Sequence, residues 1–323
     1  MNRIVTHKGD WIEYEADQRH AEIIIKQMGL ESSKKGVVTP GIKREAKDLN
    51  EGQQELPSEL ASMYRAMVAR ANFLAQDRSD IRYAVKELSR NMANPKERNI
   101  SELKRLARYL VARPRMVCKF ERQKMPKKIV GWSDSDWAGC IETRKSTSGG
   151  LLKFGKHVVK TWSSTQNIIA LSSGEAEFYA IVKTGSQSLG LKALLTELGI
   201  VCDIEIITDA TAAKGISIRK GLGQVRHIEV SCLWIQDRVR RGDIEISKID
   251  GPKNLADALT KHVGNDLLNF HIAGCEMYSV DGRHELAPTV AEGDVIKVMQ
   301  EMNTSTVEEP ESLNSLRGDC VVS

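Results

Sequence analysis

GWSDSDWAGCIETRKSTSGGLLKFGKHVVKTWSSTQNIIALSSGEAEFYA, residues Gly131 to Ala180, is the stretch on which the fold turns. At its start, Ile129 to Trp132 is a short apolar strand that runs into Ser133-Asp134-Ser135-Asp136. Gly149 to Phe154 and His157 to Trp162 read as two further strands, joined at Gly155-Lys156 in a hairpin. A long helix follows over Gly174 to Gly199, with Ala176, Ala180, Leu189, Leu191, Leu194, Leu195 and Leu198 as its apolar positions. Beyond it, Ile204 to Thr208 is a strand ending in Asp209, and Thr211 to Ser217 starts a helix. His227 to Arg241 is helix-like and stops at Gly242, Ile244 to Ile249 alternates as a last strand, and Asn254 to His262 is a last short helix. Three strands, a helix, a strand, two helices, a strand and a helix predict an α/β fold, a mixed five-stranded sheet with helices packed on it.

The chemistry lies in where carboxylates fall on that pattern. Asp134 sits where the first strand ends, Glu177 in the first turns of the long helix, Asp209 at the end of the fourth strand, and Asp257 at the start of the final helix. Strand ends and helix starts on one edge of a sheet converge, so these four acids can meet. Each alone is ordinary: Asp after a strand is usually a turn residue, and an early helical Glu usually complements the dipole. Together they form a cluster whose mutual repulsion a divalent cation relieves. Oxygen ligands without His or Cys point to Mg²⁺ or Mn²⁺ rather than zinc. Two such ions can activate a water and stabilise the departing 3′-oxygen of a phosphodiester.

Upstream, Leu60, Tyr64, Met67, Ala71 and Leu74, then Ile81, Val85, Leu88 and Met92, then Leu103, Leu106, Ala107 and Leu110 form three apolar stripes at helical spacing. Lys104, Arg105 and Arg108 lie opposite the third, most simply as solvated surface, with a nucleic-acid path as the alternative. Ala21 to Met28 is a short apolar segment, and the polar passage Glu31 to Gln54 reads as a loop or linker. Between Glu285 and Ser323 acids outnumber bases, and the composition predicts disorder.

The whole chain has 323 residues, which allows two domains. Its 47 Lys and Arg against 43 Asp and Glu give a net charge of +4, which permits a polyanionic partner without requiring one. Aromatic residues are only 5%, against a binder built on base-stacking platforms. Six scattered cysteines without a CxxC pair, and seven histidines without HExxH, do not support structural zinc. No apolar run is long enough to span a bilayer, and the start MNRIVTHKGDW has no signal-peptide core. These features predict no membrane partner and an intracellular location, cytoplasmic or nuclear.

The motifs Ser133-Asp134-Ser135-Asp136-Trp137-Ala138-Gly139, Arg144-Lys145-Ser146-Thr147-Ser148-Gly149 and Leu171-Ser172-Ser173-Gly174-Glu175-Ala176-Glu177 closely resemble the ribonuclease H domain of copia-type retrotransposon Pol polyproteins. Thr208-Asp209, Arg226-His227-Ile228-Glu229 and Leu255-Ala256-Asp257-Ala258-Leu259-Thr260-Lys261 keep that family's order and approximate spacing. The resemblance covers about Lys127 to Val263. It implies a ribonuclease H-like fold that cuts the RNA strand of RNA–DNA hybrids with two Mg²⁺ or Mn²⁺ ions, held by Asp134, Glu177, Asp209 and Asp257. Strand alternation alone cannot choose between Asp134 and Asp136; the resemblance selects Asp134, and selects Glu177 over Glu175. Asp136 then supports the loop and Glu175 is a solvated neighbour. Ser172 and Ser173 match the polar stretch that contacts a nucleic-acid phosphate, and Arg144, Lys145, Lys160 and Lys214 could line others. Tyr64 to Leu110 resembles the segment after the reverse-transcriptase palm, but no Tyr-x-Asp-Asp is present, so polymerisation is not expected.

The implied organisation is a partly ordered reverse-transcriptase remnant over 1–55, a helical connection region over 56–126, the ribonuclease H-like domain over 127–264, and a mostly disordered acidic tail over 265–323. Asp250 to Asn254 contains no His, so the flexible histidine of cellular ribonucleases H has no counterpart. The alternative function is an inactive retroelement relic that only binds nucleic acid. An integrase-type transposase shares the fold class, but no His/Cys module precedes the sheet.

Overall fold

A computed structural model describes residues 3–32, 35–43, 51–223 and 228–290. Part of the Glu31–Gln54 loop, the Arg226-His227 pair and the acidic tail from 291 onward lie outside the described residues.

The decisive stretch folds as its periodicity predicts. Strands β4 (Lys128–Asp136), β5 (Thr147–Phe154) and β6 (His157–Thr165) form an antiparallel meander. Helix α5 (Ser173–Glu197) packs on it and leads to β7 (Asp203–Thr208), which pairs parallel to β4. After α6 (Thr211–Ile218) and α7 (Trp234–Arg240), β8 (Glu245–Lys248) adds parallel to β7. The order β6-β5-β4-β7-β8 is the mixed five-stranded sheet with helices packed on it that the sequence predicts. Gly131 lets α5 close on β4: a Cβ there would lie 2.6 Å from the Thr184 methyl. Ile129, Leu152, Phe178, Ile181, Ile204, Ile206 and Ile235 fill the layer between sheet and helices. Two local readings change. His227–Arg241 is not one helix: the described part is a 3-10 turn at Val230–Cys232 followed by α7. Asn254–His262 is a loop with a 3-10 turn at Asp257–Leu259, too short to bury a helical face.

A second sheet was not anticipated. β1 (Ile4–His7), β2 (Trp11–Glu15) and β3 (Arg115–Glu121) pair antiparallel, and β9 (Met277–Val280) completes the order β1-β2-β3-β9. Four helices pack with it: α1 (Arg19–Gln27), α2 (Ser58–Leu74), α3 (Arg82–Arg90) and α4 (Glu97–Ala112). Ile23, Ile24 and Met28 of the short apolar segment are buried against Met63, Tyr64 and Leu106. The three apolar stripes upstream do form helices.

The reading of everything after residue 264 as mostly disordered is corrected for the part described. Helix α8 (Asn265–Gly274) and β9 are ordered because Leu268, Ile272, Cys275 and Met277 enter the upstream core, and β9 pairs with β3. Among the described residues no helix is long and apolar enough to cross a membrane.

Candidate metal centre

Strand register brings two of the acids together. β4 and β7 run parallel with Gly131 opposite Ile206 and Trp132 opposite Ile207. Two residues further on, both strands have reached Asp134 and Asp209 at the same sheet edge. Asp257 arrives from the loop after β8. Asn254 pins that loop, because its amide donates to the Ser133 carbonyl at 3.0 Å and its Oδ1 accepts from the Ala256 N–H at 3.1 Å. The Thr260 hydroxyl donates to Asp134 Oδ2 and ties the far end of the turn to β4. Gly149, paired with Asp134 across the sheet, leaves room for this turn: a Cβ would lie 2.5 Å from Thr260 Cγ2.

One carboxylate oxygen each from Asp134, Asp209 and Asp257 lie within 4.8 Å of one another, and Asp134 is buried. Glu177 is not among those three but borders them from α5. Its Oε1 accepts the Ser135 N–H at 3.2 Å, and its buried Oε2 has no hydrogen-bond partner. Asp257 Oδ1 is buried without a partner as well.

The electrostatics follow from burial and like charge. Burial, then the neighbouring Asp257, raises the Asp134 carboxyl above the ordinary carboxylate range. Burial, then Asp134 and Asp209, does the same to Glu177. Asp209 is raised by burial and by Asp257. Lys261, whose ammonium lies 3.1 Å from Asp257 Oδ2, works against all three shifts. The donor set is all hard oxygen, with two buried carboxylate oxygens lacking a proton donor. Such a set is compatible with a hard divalent cation.

No family profile matches the chain. It is 32% identical over 206 residues to a retrovirus-related Pol polyprotein from transposon RE1 of Arabidopsis thaliana, 61% of this chain and 14% of that one. It is 33% identical over 189 residues to the corresponding polyprotein from transposon TNT 1-94 of Nicotiana tabacum, again 14% of its length. Its relatives thus include retrovirus-related Pol polyproteins of transposons. It spans about a seventh of the curated Pol relatives it matches. Among solved structures it is similar to LC11-RNase H1, isolated from compost by a metagenomic approach, at 15% identity and a TM-score of 0.31, covering 44% of this chain and 96% of that one.

Asp136 accepts the Thr147 N–H, and burial raises its carboxyl to about 6. Glu175 is not solvated: it is 1% exposed, and its carboxylate accepts the Leu171 N–H at 2.8 Å and the Tyr179 hydroxyl at 3.2 Å. A carboxylate one turn before Tyr179 on the same helix face meets it at i,i+4 spacing, which explains the correction. Ser172 is the N-cap of α5 and accepts the Glu175 N–H at 3.2 Å, while Ser173 is exposed beside it. Arg144 and Lys160 are exposed on separate elements, and Lys145 and Lys214 are half-buried. Sequence reasoning missed Asn254, Thr260 and Lys261 as site residues. The spacing of Thr260 and Lys261, three and four residues after Asp257, was the signal available.

Proposed function

We propose that this segment is a divalent-metal-dependent endoribonuclease that cuts the RNA strand of RNA–DNA hybrids, the ribonuclease H portion of a copia-type Pol polyprotein. The observation that carries the reading is the convergence of Asp134, Asp209 and Asp257, with Glu177 beside them, from four separated stretches of chain at one sheet edge. Two Mg²⁺ or Mn²⁺ ions bound by these four carboxylates would supply Lewis-acid activation of water and charge neutralisation at the leaving oxygen.

The chain's own residues have definable tasks. Asp134 and Asp209 are fixed by the strands that bear them, and Asp257 by Asn254 and Thr260, so the acids are held in place before substrate arrives. Exposed Ser173 and the Ser172 cap at the start of α5 would meet a phosphate of the substrate backbone, aided by the helix N–H groups. Preference for a hybrid would come from 2′-hydroxyls on the cut strand and the A-like groove. The unit proposed to carry the activity is 127–264, in an intracellular setting.

Purified protein with Mg²⁺ or Mn²⁺ should cleave the RNA of a hybrid and leave duplex DNA intact, and Asp209→Asn should abolish cleavage. Wild type and Asp209→Asn that both bind hybrid but are equally inert would establish the relic instead.

A further inference from the structure

Lys261 has no part in the reading above, yet it is a cation at the edge of the acidic cluster, paired with Asp257. Its ammonium lies 3.1 Å from Asp257 Oδ2, and its side chain is 48% exposed, so the stem enters from the solvent side. Its charge favours the ionised forms of Asp134, Glu177 and Asp209 as well. The neighbouring Thr260 hydroxyl donates to Asp134, and the Lys261 N–H donates to the Asp257 carbonyl at 3.3 Å. One short turn therefore delivers an acid, a hydroxyl and an ammonium to the same place. The backbone is fixed there, while the four-carbon stem keeps its rotatable bonds.

We propose that Lys261 is a built-in counter-ion, seated on Asp257 at the edge of the carboxylates before a divalent cation binds and displaced toward solvent when one does. This rests on reading the cluster as a metal site. Metal binding is then an exchange of cations. The metal-free cluster is relieved of part of its repulsion, and the cost of expelling the ammonium lowers the apparent affinity for the ion. A compact strongly hydrated charge on a flexible stem suits such a role, because water readily takes it back.

The test uses the full chain without nucleic acid. In calorimetric titration with MnCl₂, Lys261→Met should lower the half-saturating concentration by roughly two- to fivefold, the scale of a half-exposed ion pair. Lys261→Arg should stay near wild type, and Asp257→Asn should lose the binding. In wild-type protein, acylation of Lys261 by an N-hydroxysuccinimide ester, followed by peptide mass spectrometry, should speed up on adding Mn²⁺. If wild type binds Mn²⁺ but Lys261→Met binds no more tightly and the acylation rate does not rise, the counter-ion proposal fails and the metal site stands. If wild type and Asp257→Asn titrate alike, the metal site and the counter-ion fall together.

Discussion

Asp134, Glu177 and Asp209 all keep their protons to higher pH than free carboxylates do, because burial and each other's charge oppose ionisation. Without metal these three groups therefore bind more protons in the folded chain than in the unfolded one, and they make stability fall as pH rises. The decline starts near the free-carboxylate range, about pH 4, passes the raised value of about 6 for Asp136, and continues above it for the cluster. Carboxylates paired with cations, such as Glu87 beside Lys86, have lowered values and act in the opposite sense. A difference measurement isolates the cluster. In EDTA, Asp134→Asn should gain thermal stability relative to wild type as pH is raised from about 4 to 8. With saturating Mg²⁺ the gain should disappear. A difference that stays flat with pH would mean that Asp134 is not held against its charge.

The element that most needs its neighbours is the 3-10 turn at Asp257–Leu259. It has no helical length to stabilise it and is held instead by Asn254, Thr260 and the space above Gly149. A Cβ at Gly149 would also come within 2.9 Å of the Leu259 carbonyl carbon, so the obstacle includes backbone. Gly149→Ala should cost about 1–3 kcal/mol as an overpacking change and displace the Asp257 turn. The expected signature is weakened Mn²⁺ binding in calorimetry with near-native far-UV circular dichroism. Unchanged binding would show that the turn is held independently of β5. Helix α5 is the contrast: its Ser172 cap and the Glu175 contacts to Leu171 and Tyr179 fix its start locally, and the Ser135 N–H then ties Glu177 to β4.

Across the whole molecule, the site depends on a core that is not its own. Leu255, Ala258 and Leu259, flanking Asp257, are buried with the upstream helices and α8 rather than with the layer under α5. His271 of α8 joins the parts: its Nδ1 lies 2.8 Å from the Leu255 carbonyl and its Nε2 2.9 Å from the Ser79 hydroxyl. A carbonyl only accepts, so Nδ1 carries the proton. Ser79 is fixed by the buried Arg78–Asp80 pair next to it, 2.7 Å apart, with the Tyr109 hydroxyl donating to Asp80 at 2.9 Å. Lys153 of β5 also donates to the Gly274 carbonyl at 2.9 Å. A chain ending after Gly264 retains all four acids but loses α8 and β9. It should melt at lower temperature and bind Mn²⁺ more weakly than the full chain. Equal affinity would show that the upstream core does not position Asp257.

The local sequence determined strands β4 to β8 and helices α5 and α6, because period-two and period-3.6 patterns report directly on which faces are buried. It also offered the candidate oxygen donors, since acids at the ends and starts of expected elements are legible without coordinates, while their convergence came with the fold. The Glu175 contacts, the unanticipated sheet and the order in α8 and β9 were decided only in three dimensions. Each depends on a partner distant in sequence or on a side-chain direction within a turn: β9 on β3, His271 on Ser79, Glu175 on Tyr179. Lys261 belongs to the same class. Its position in the chain is plain from the sequence, but only folding sets its charge among acids up to 127 residues away, and pairwise electrostatics act through space rather than along the chain.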